Sequence, residues 1–159
     1  MERVDQIIRN KLFQSNLALN CAAEADRRFC RHNIEHLLAV CRLAWILCLE
    51  EKTELPKELV YAAGLLHDIG KHRQYKEGIP HEIASAEIAE KILTDCEFTI
   101  EEREAILSAI RSHREEAAAS RNTLNRILYR ADKASRNCYA CPAEADCNWK
   151  GEKKNFHVY

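Results

Sequence analysis

Apolar residues recur at three- and four-residue intervals along most of the chain, the period of helices packed on one another. Over residues 31–51 the pattern is double. One stripe holds Ile34, Leu38, Cys41, Trp45 and Cys48, and the opposite one His32, His36, Ala39, Leu43 and Leu47, which predicts a central helix. After Pro56 the run KELVYAAGLLHDIG is apolar on nearly every side and stops at Gly70, a residue suited to the left-handed position that closes a helix. Two shorter helices are predicted before these, over 4–13 and 17–28, with Ser15 or Asn16 capping the second; they read as a packing layer. A loop over 72–80, containing Gly78 and Pro80, leads to a helix over 81–94. Thr99-x-x-Glu102 is a capping box opening a further helix to residue 113. A last helix over 122–135 carries Leu124, Leu128 and Ala131 on one stripe that continues into Asp132. The expected fold is therefore all-α, a compact bundle of about seven helices over residues 1–136. Residues 137–159 turn abruptly to Cys, Asn and Lys and form a short irregular tail packed on the same domain.

Composition supports this reading, since 4 Gly and 3 Pro in 159 residues leave few helix breakers. An apolar share of 47% excludes a disordered chain, and no apolar run approaches the roughly 20 residues that cross a bilayer. With 24 Lys and Arg against 25 Asp and Glu, the net charge of −1 lacks the positive excess that long nucleic acids require. The opening MERVDQIIRN is too charged for a secretory signal, so the expected compartment is the cytoplasm. There, eight cysteines are better read as metal ligands where clustered and as small core residues where not, as at Cys41, Cys48 and Cys96.

His67 and Asp68 are adjacent near the end of an almost wholly apolar helix, where either would be costly to bury unpaired. Taken alone, the dipeptide is most simply a satisfied hydrogen-bond pair. However, His36, His81, His113 and Asp132 each adjoin the apolar stripe of a different helix. Four imidazoles and two carboxylates suffice for two divalent ions if Asp68 bridges them, and this donor set suits iron, manganese or zinc.

The ordered series His36, His67-Asp68, His81, His113 and Asp132, with the string LLHDIGK from Leu65 to Lys71, resembles the HD superfamily of metal-dependent phosphohydrolases over about residues 30–136. His36 rather than His32 matches the first motif, because His36-Leu-Leu-Ala-Val40 is similar to the family's segment there. The resemblance implies that His36, His67, Asp68 and Asp132 hold one metal, and that His81 and His113 hold a second with Asp68 between. That set is similar to the binuclear branch, which includes diadenosine tetraphosphate hydrolases; the GYP signature of cyclic-dinucleotide phosphodiesterases is missing. It also implies cleavage of a phosphate ester or anhydride in a small nucleotide-like substrate, by a hydroxide bridging the ions at Asp68. Lys71 would act beside it on a phosphate, and His32, Arg114, Lys133 and Arg136 would contact substrate. Two other readings share these ligands: a di-iron oxygenase and a non-catalytic nucleotide-binding or sensory module.

The tail contains Cys138-x-x-Cys141-x5-Cys147, three thiols at a spacing that suits zinc or an iron–sulfur cluster. A fourth ligand would come from Cys30 or Cys21. Cys30 is favoured because it lies six residues before His36 while Cys138 lies six after Asp132. Reduced cysteines in a loose tail are the alternative. His72 is expected on the surface, and no oligomeric state follows from the sequence.

Overall fold

The computed structural model describes residues 1–117, 123–149 and 151–159. Its described residues form eight α-helices: α1 (Glu2–Arg9), α2 (Lys11–Ala23), α3 (Ile34–Glu50), α4 (Lys57–Leu66), α5 (Lys71–Glu77), α6 (His81–Asp95), α7 (Ile100–Ser112) and α8 (Thr123–Ala134). Short 3-10 turns occur at Cys138–Ala140 and Gly151–Lys153, and there is no strand among the described residues. No described helix is long and apolar enough to cross a membrane.

The most enclosed element is α4, which packs on α1, α3, α6, α7 and α8. Leu59, Val60, Ala62, Ala63, Gly64, Leu65 and Leu66 are all buried on it. Gly64 is required where α3 crosses, because a Cβ there would stand 2.6 Å from Cys41 Sγ and 3.1 Å from the Cys41 backbone. Cys41, Cys48 and Cys96 are core residues, as read from the sequence. α3, α7 and α8 complete the bundle around α4, and α5 and α6 close one side against α2.

Four expectations require correction. The break between the first two helices falls at Asn10, whose Oδ1 accepts from the N–H groups of Leu12 (2.8 Å) and Phe13 (3.4 Å). Ser15 and Asn16 lie inside α2 instead. The segment after Gly70 is the helix α5 rather than a loop, and Gly78 terminates it in the left-handed conformation at φ 72°. Gly70 itself has φ −95°, so its small size matters and not its handedness. A Cβ there would lie 2.5 Å from the Ser85 nitrogen and 2.6 Å from the Ala84 carbonyl carbon. The expected helix start at Asn122 lies outside the described residues, whereas the Thr99–Glu102 capping box is present with both of its hydrogen bonds.

Candidate metal centre

Two helix ends and two helix starts converge on the site. His67 follows the last residue of α4 and His113 the last of α7, where carbonyls have no helical partner. Each ring uses one: His67 Nδ1–H donates to Gly64 O at 2.8 Å, and His113 Nδ1–H to Ile110 O at 2.6 Å. Carbonyls only accept, so both rings carry the proton on Nδ1 and present the Nε2 lone pair to the centre. His36 sits in the first turn of α3, where its own N–H donates at 3.1 Å to the capping side chain of Asn33. His81 opens α6, and its Nδ1–H donates to Gln74 Oε1 at 2.5 Å.

Asp68 stands in the middle with its two oxygens facing different groups. Oδ2 lies 3.1 Å from His67 Nε2, 3.4 Å from His36 Nε2 and 3.7 Å from His32 Nε2. Oδ1 lies 3.1 Å from His81 Nε2 and 3.7 Å from His113 Nε2. Asp132, on the core edge of α8, brings Oδ1 to 3.6 Å from His36 Nε2 and 3.8 Å from His67 Nε2. Two sets of converging donor atoms result, His36–His67–Asp68–Asp132 and Asp68–His81–His113, each with all its atoms within 4.8 Å of one another.

The donor chemistry fits a cation in each set. His36 Nε2, His67 Nε2, Asp68 Oδ1 and Asp132 Oδ1 are buried with no hydrogen-bond partner, a costly state for polar atoms aimed at one another. In the second set His81 Nε2 and His113 Nε2 face each other at 3.2 Å with both ring protons committed elsewhere. Two lone pairs and a carboxylate oxygen at that range need positive charge between them. Ionisation agrees: burial opposes charge on Asp68 and Asp132, yet His67 with His32 around the first, and His67 with Arg136 and Lys133 around the second, hold both well below the carboxylate range. Burial likewise works against a charged His67, but the two carboxylates push it up to about 10, the response of an imidazole standing where a cation is wanted. Burial keeps His36 and His81 lowered and brings His113 down to about 4, neutral as ligands must be.

The ring of expected substrate contacts surrounds the same place. A cavity of about 230 Å³ is lined by His32, Asp68, His81, His113 and Asp132 together with Lys71, Arg114, Lys133 and Arg136. Arg27, Phe29, Asn148 and Trp149 also line it and were not singled out from the sequence. Lys71 Nζ lies 3.1 Å from His81 Nδ1, and burial lowers its ammonium pKa. Lys133 Nζ donates to Asp132 Oδ2 at 2.7 Å, the Arg136 guanidinium stacks on Trp149 at 3.6 Å, and Arg114 pairs with Glu82 at 3.3 Å.

The supports behind the ligands come mostly from α2, which sequence reasoning treated as packing. Asn20 is fully buried, donating to the Asp68 carbonyl at 2.9 Å and accepting the His72 N–H at 2.8 Å. Asn16 Oδ1 lies 2.8 Å from His72 Nε2, so His72 is buried and partnered rather than a surface residue. Glu24 accepts from the His32 N–H and from His32 Nδ1–H, each at 2.6 Å, and from the Tyr75 hydroxyl at 2.6 Å. Asn16, Asn20 and Glu24 are spaced i, i+4, i+8, a polar stripe on one helix face that was the available signal. Of the four cysteines considered as a separate cluster, Cys30, Cys138 and Cys147 line the wall of this cavity, and Cys141 lies just beyond it.

Residues 33–137 match the HD domain family. The chain belongs to that family. This HD domain is 42% identical to a protein of Clostridium beijerinckii described as uncharacterised, over all of this chain and 99% of the other. It is 41% identical over 70 residues to an uncharacterised protein of Methanocaldococcus jannaschii, covering 42% of this chain and 40% of that one. Among solved structures it is similar to a predicted HD superfamily hydrolase from an uncultured Thermotogales bacterium, with a TM-score of 0.60 and 28% identity. That match covers 76% of this chain and 66% of the hydrolase chain.

Proposed function

We propose that this HD domain is a phosphohydrolase that cleaves a phosphate ester or anhydride of a small nucleotide-like molecule, with two divalent ions, iron or manganese, shared through Asp68. The observation that carries the reading is the division of Asp68: Oδ2 belongs to one donor set and Oδ1 to the other. His36, His67, Asp68 and Asp132 would hold one ion, and His81 and His113 the other with Asp68. When bound, the pair supplies an acidified water and charge to offset that gathering on a phosphoryl group.

The remaining work falls to the cavity wall. Arg27, Lys71, Arg114, Lys133 and Arg136 put five cationic side chains around a space that already holds two carboxylates, an excess suited to an anionic ligand. Lys71 is placed nearest the His81 end, where its ammonium binds a phosphoryl oxygen and orients it towards Asp68. Lys133 and Arg136 are tethered to Asp132 Oδ2, so they meet the opposite side of the ligand in fixed positions. His32 is anchored through Nδ1 by Glu24 and offers Nε2 towards the Asp68 side of the cavity. This cationic lining favours phosphate transfer over oxygen chemistry on the same ligands.

The test is phosphate release from a panel of nucleotides and phosphate esters by manganese-loaded protein under nitrogen. Release by the wild type, lost in Asp68→Ala and reduced about 100-fold or more in Lys71→Ala, supports the reading. Substrate-dependent oxygen uptake by the iron form, with no phosphate released by the manganese form, would replace it.

A further inference from the structure

The tail presents a second problem of cohesion. Of its described residues only Ala143 is buried; Trp149 is half-buried against Arg136, and the other larger apolar side chains Tyr139, Phe156, Val158 and Tyr159 are exposed. Its regular structure is limited to two 3-10 turns. The Arg28–Asp146 pair that ties it to the α2–α3 connection has side chains 69% and 61% exposed and contributes little. A segment of this size without an apolar core ordinarily depends on a covalent or metal staple.

The cysteines stand where such a staple would be. Cys141 N–H donates to Cys138 O at 3.3 Å, a tight turn that sets the two side chains of the C-x-x-C pair near each other. Two further turns, Glu144 N–H to Cys141 O at 3.1 Å and Cys147 N–H to Glu144 O at 3.2 Å, fold the chain back so that Cys147 returns to the same place. Cys30 reaches it from the α2–α3 connection, more than a hundred positions away in sequence. All four are free thiols and line one small cavity of about 20 Å³, together with Lys154. That volume is close to the space one water or one ion occupies, and it is too small for a four-iron cluster.

We propose that Cys30, Cys138, Cys141 and Cys147 bind one thiophilic divalent cation of the zinc type, separate from the His/Asp centre, and that this ion fastens the tail to the α2–α3 connection. Four thiolates would complete a closed tetrahedral shell with no open position, which is structural rather than catalytic. No three of the sulfurs lie within 4.8 Å of one another among the described residues, so side-chain rotation gathers them on binding. Lys154 Nζ, bonded to Glu144 O at 2.9 Å and to Glu144 Oε1 at 2.5 Å, stands at the same cavity and closes its side. Because Cys30, Cys138 and Cys147 also form part of the main cavity's wall, the ion would hold Asn148 and Trp149 in place over the His/Asp centre.

Cobalt(II) gives a direct readout. Reduced, metal-free full-length protein titrated with Co²⁺ should show sulfur-to-cobalt charge-transfer absorption and the intense ligand-field bands of a tetrahedral thiolate site, with a final amplitude that corresponds to one thiolate-bound ion per chain. The His/Asp centre contains no sulfur and cannot produce that signal, so Asp68→Ala should keep it and Cys141→Ser should lose it. Cys21→Ser, whose thiol lies outside the cluster, should behave as wild type. Absence of thiolate absorption in the wild type, or its persistence in both Cys141→Ser and Cys138→Ser, would overturn the proposal. So would acid-labile sulfide in the protein as isolated, which would identify an iron–sulfur cluster instead.

Discussion

Glu24 carries three hydrogen bonds in a place where only 1% of the residue is exposed. Burial alone would raise its pKa, but His32 and the Tyr75 hydroxyl together bring it down to about 2, so it is a carboxylate at any working pH. Its effect reaches the cavity through His32, whose ring it orients, which makes Glu24 a positioning residue. Glu24→Gln keeps the shape and removes the charge. The expected result is a 10- to 100-fold fall in kcat, the usual range for a residue that supports a site from behind, with KM and metal content near wild type. Elemental analysis beside steady-state kinetics checks this; equal loss of metal would assign Glu24 to folding of the centre instead.

At the scale of elements, α1 buries Val4 and Ile7 in the core and is tied to α4 and α7 by one polar residue. Arg3 on α1 donates to Glu58 on α4 at 2.8 Å and to both oxygens of Glu102 on α7 at 2.6 and 3.0 Å, and its guanidinium covers the Phe98 ring at 4.2 Å. The hydrogen bond from Arg3 lowers the Glu102 pKa, with partial burial opposing it. A carboxylate with a depressed folded pKa adds stability that is complete above its unfolded value of about 4.3 and is lost as pH falls through the folded value. Glu102→Gln keeps the capping box, which accepts Gln, and removes only the charge. At neutral pH its melting temperature should lie roughly 1–4 °C below wild type, for a partly exposed bidentate pair of about 0.5–1 kcal/mol. Once the pH has fallen below the depressed folded pKa of Glu102 the two curves should meet; a difference independent of pH would show that packing, not charge, carries the contact.

The helices themselves were legible in the chain wherever a long apolar period or a strong cap marked them, as on α3, α6 and α7. α5 was hidden because KHRQYKE has no apolar stripe; it is helical through packing on α2 and α6 and through the site residues it connects. The converging His and Asp residues were visible because His and Asp adjoining apolar stripes are conspicuous. Asn16, Asn20 and Glu24 were not, since polar residues on a short N-terminal helix look like a solvated face until the partner that buries them is known. Gly70 was noticed for the wrong reason, a turn conformation in place of a close approach to α6.

For the molecule as a whole, unsatisfied buried atoms in the centre mean that any cation bound there would be linked to folding. Any ion that binds the folded state and not the unfolded one adds RT ln(1 + [L]/Kd), about 2.7 kcal/mol at a hundredfold excess over Kd. For a chain of this length that corresponds to a rise of roughly 5–10 °C in melting temperature on adding Mn²⁺ to stripped protein. Asp68→Ala should abolish the rise. An unchanged melting temperature at saturating Mn²⁺ would mean that the two donor sets are satisfied some other way.

The stretch shared with the HD family begins at residue 33, yet Asn20 and Glu24 lie before it. The His72 N–H is completed by Asn20 from outside that stretch, and the Asp68 carbonyl, which also accepts the Lys71 N–H, takes its second hydrogen bond from the same side chain. A family boundary drawn at Asn33 therefore cuts through a hydrogen-bonded unit. The second helix and the residue that follows it are a buttress of the centre, inherited with it or replaced by something that offers the same polar groups.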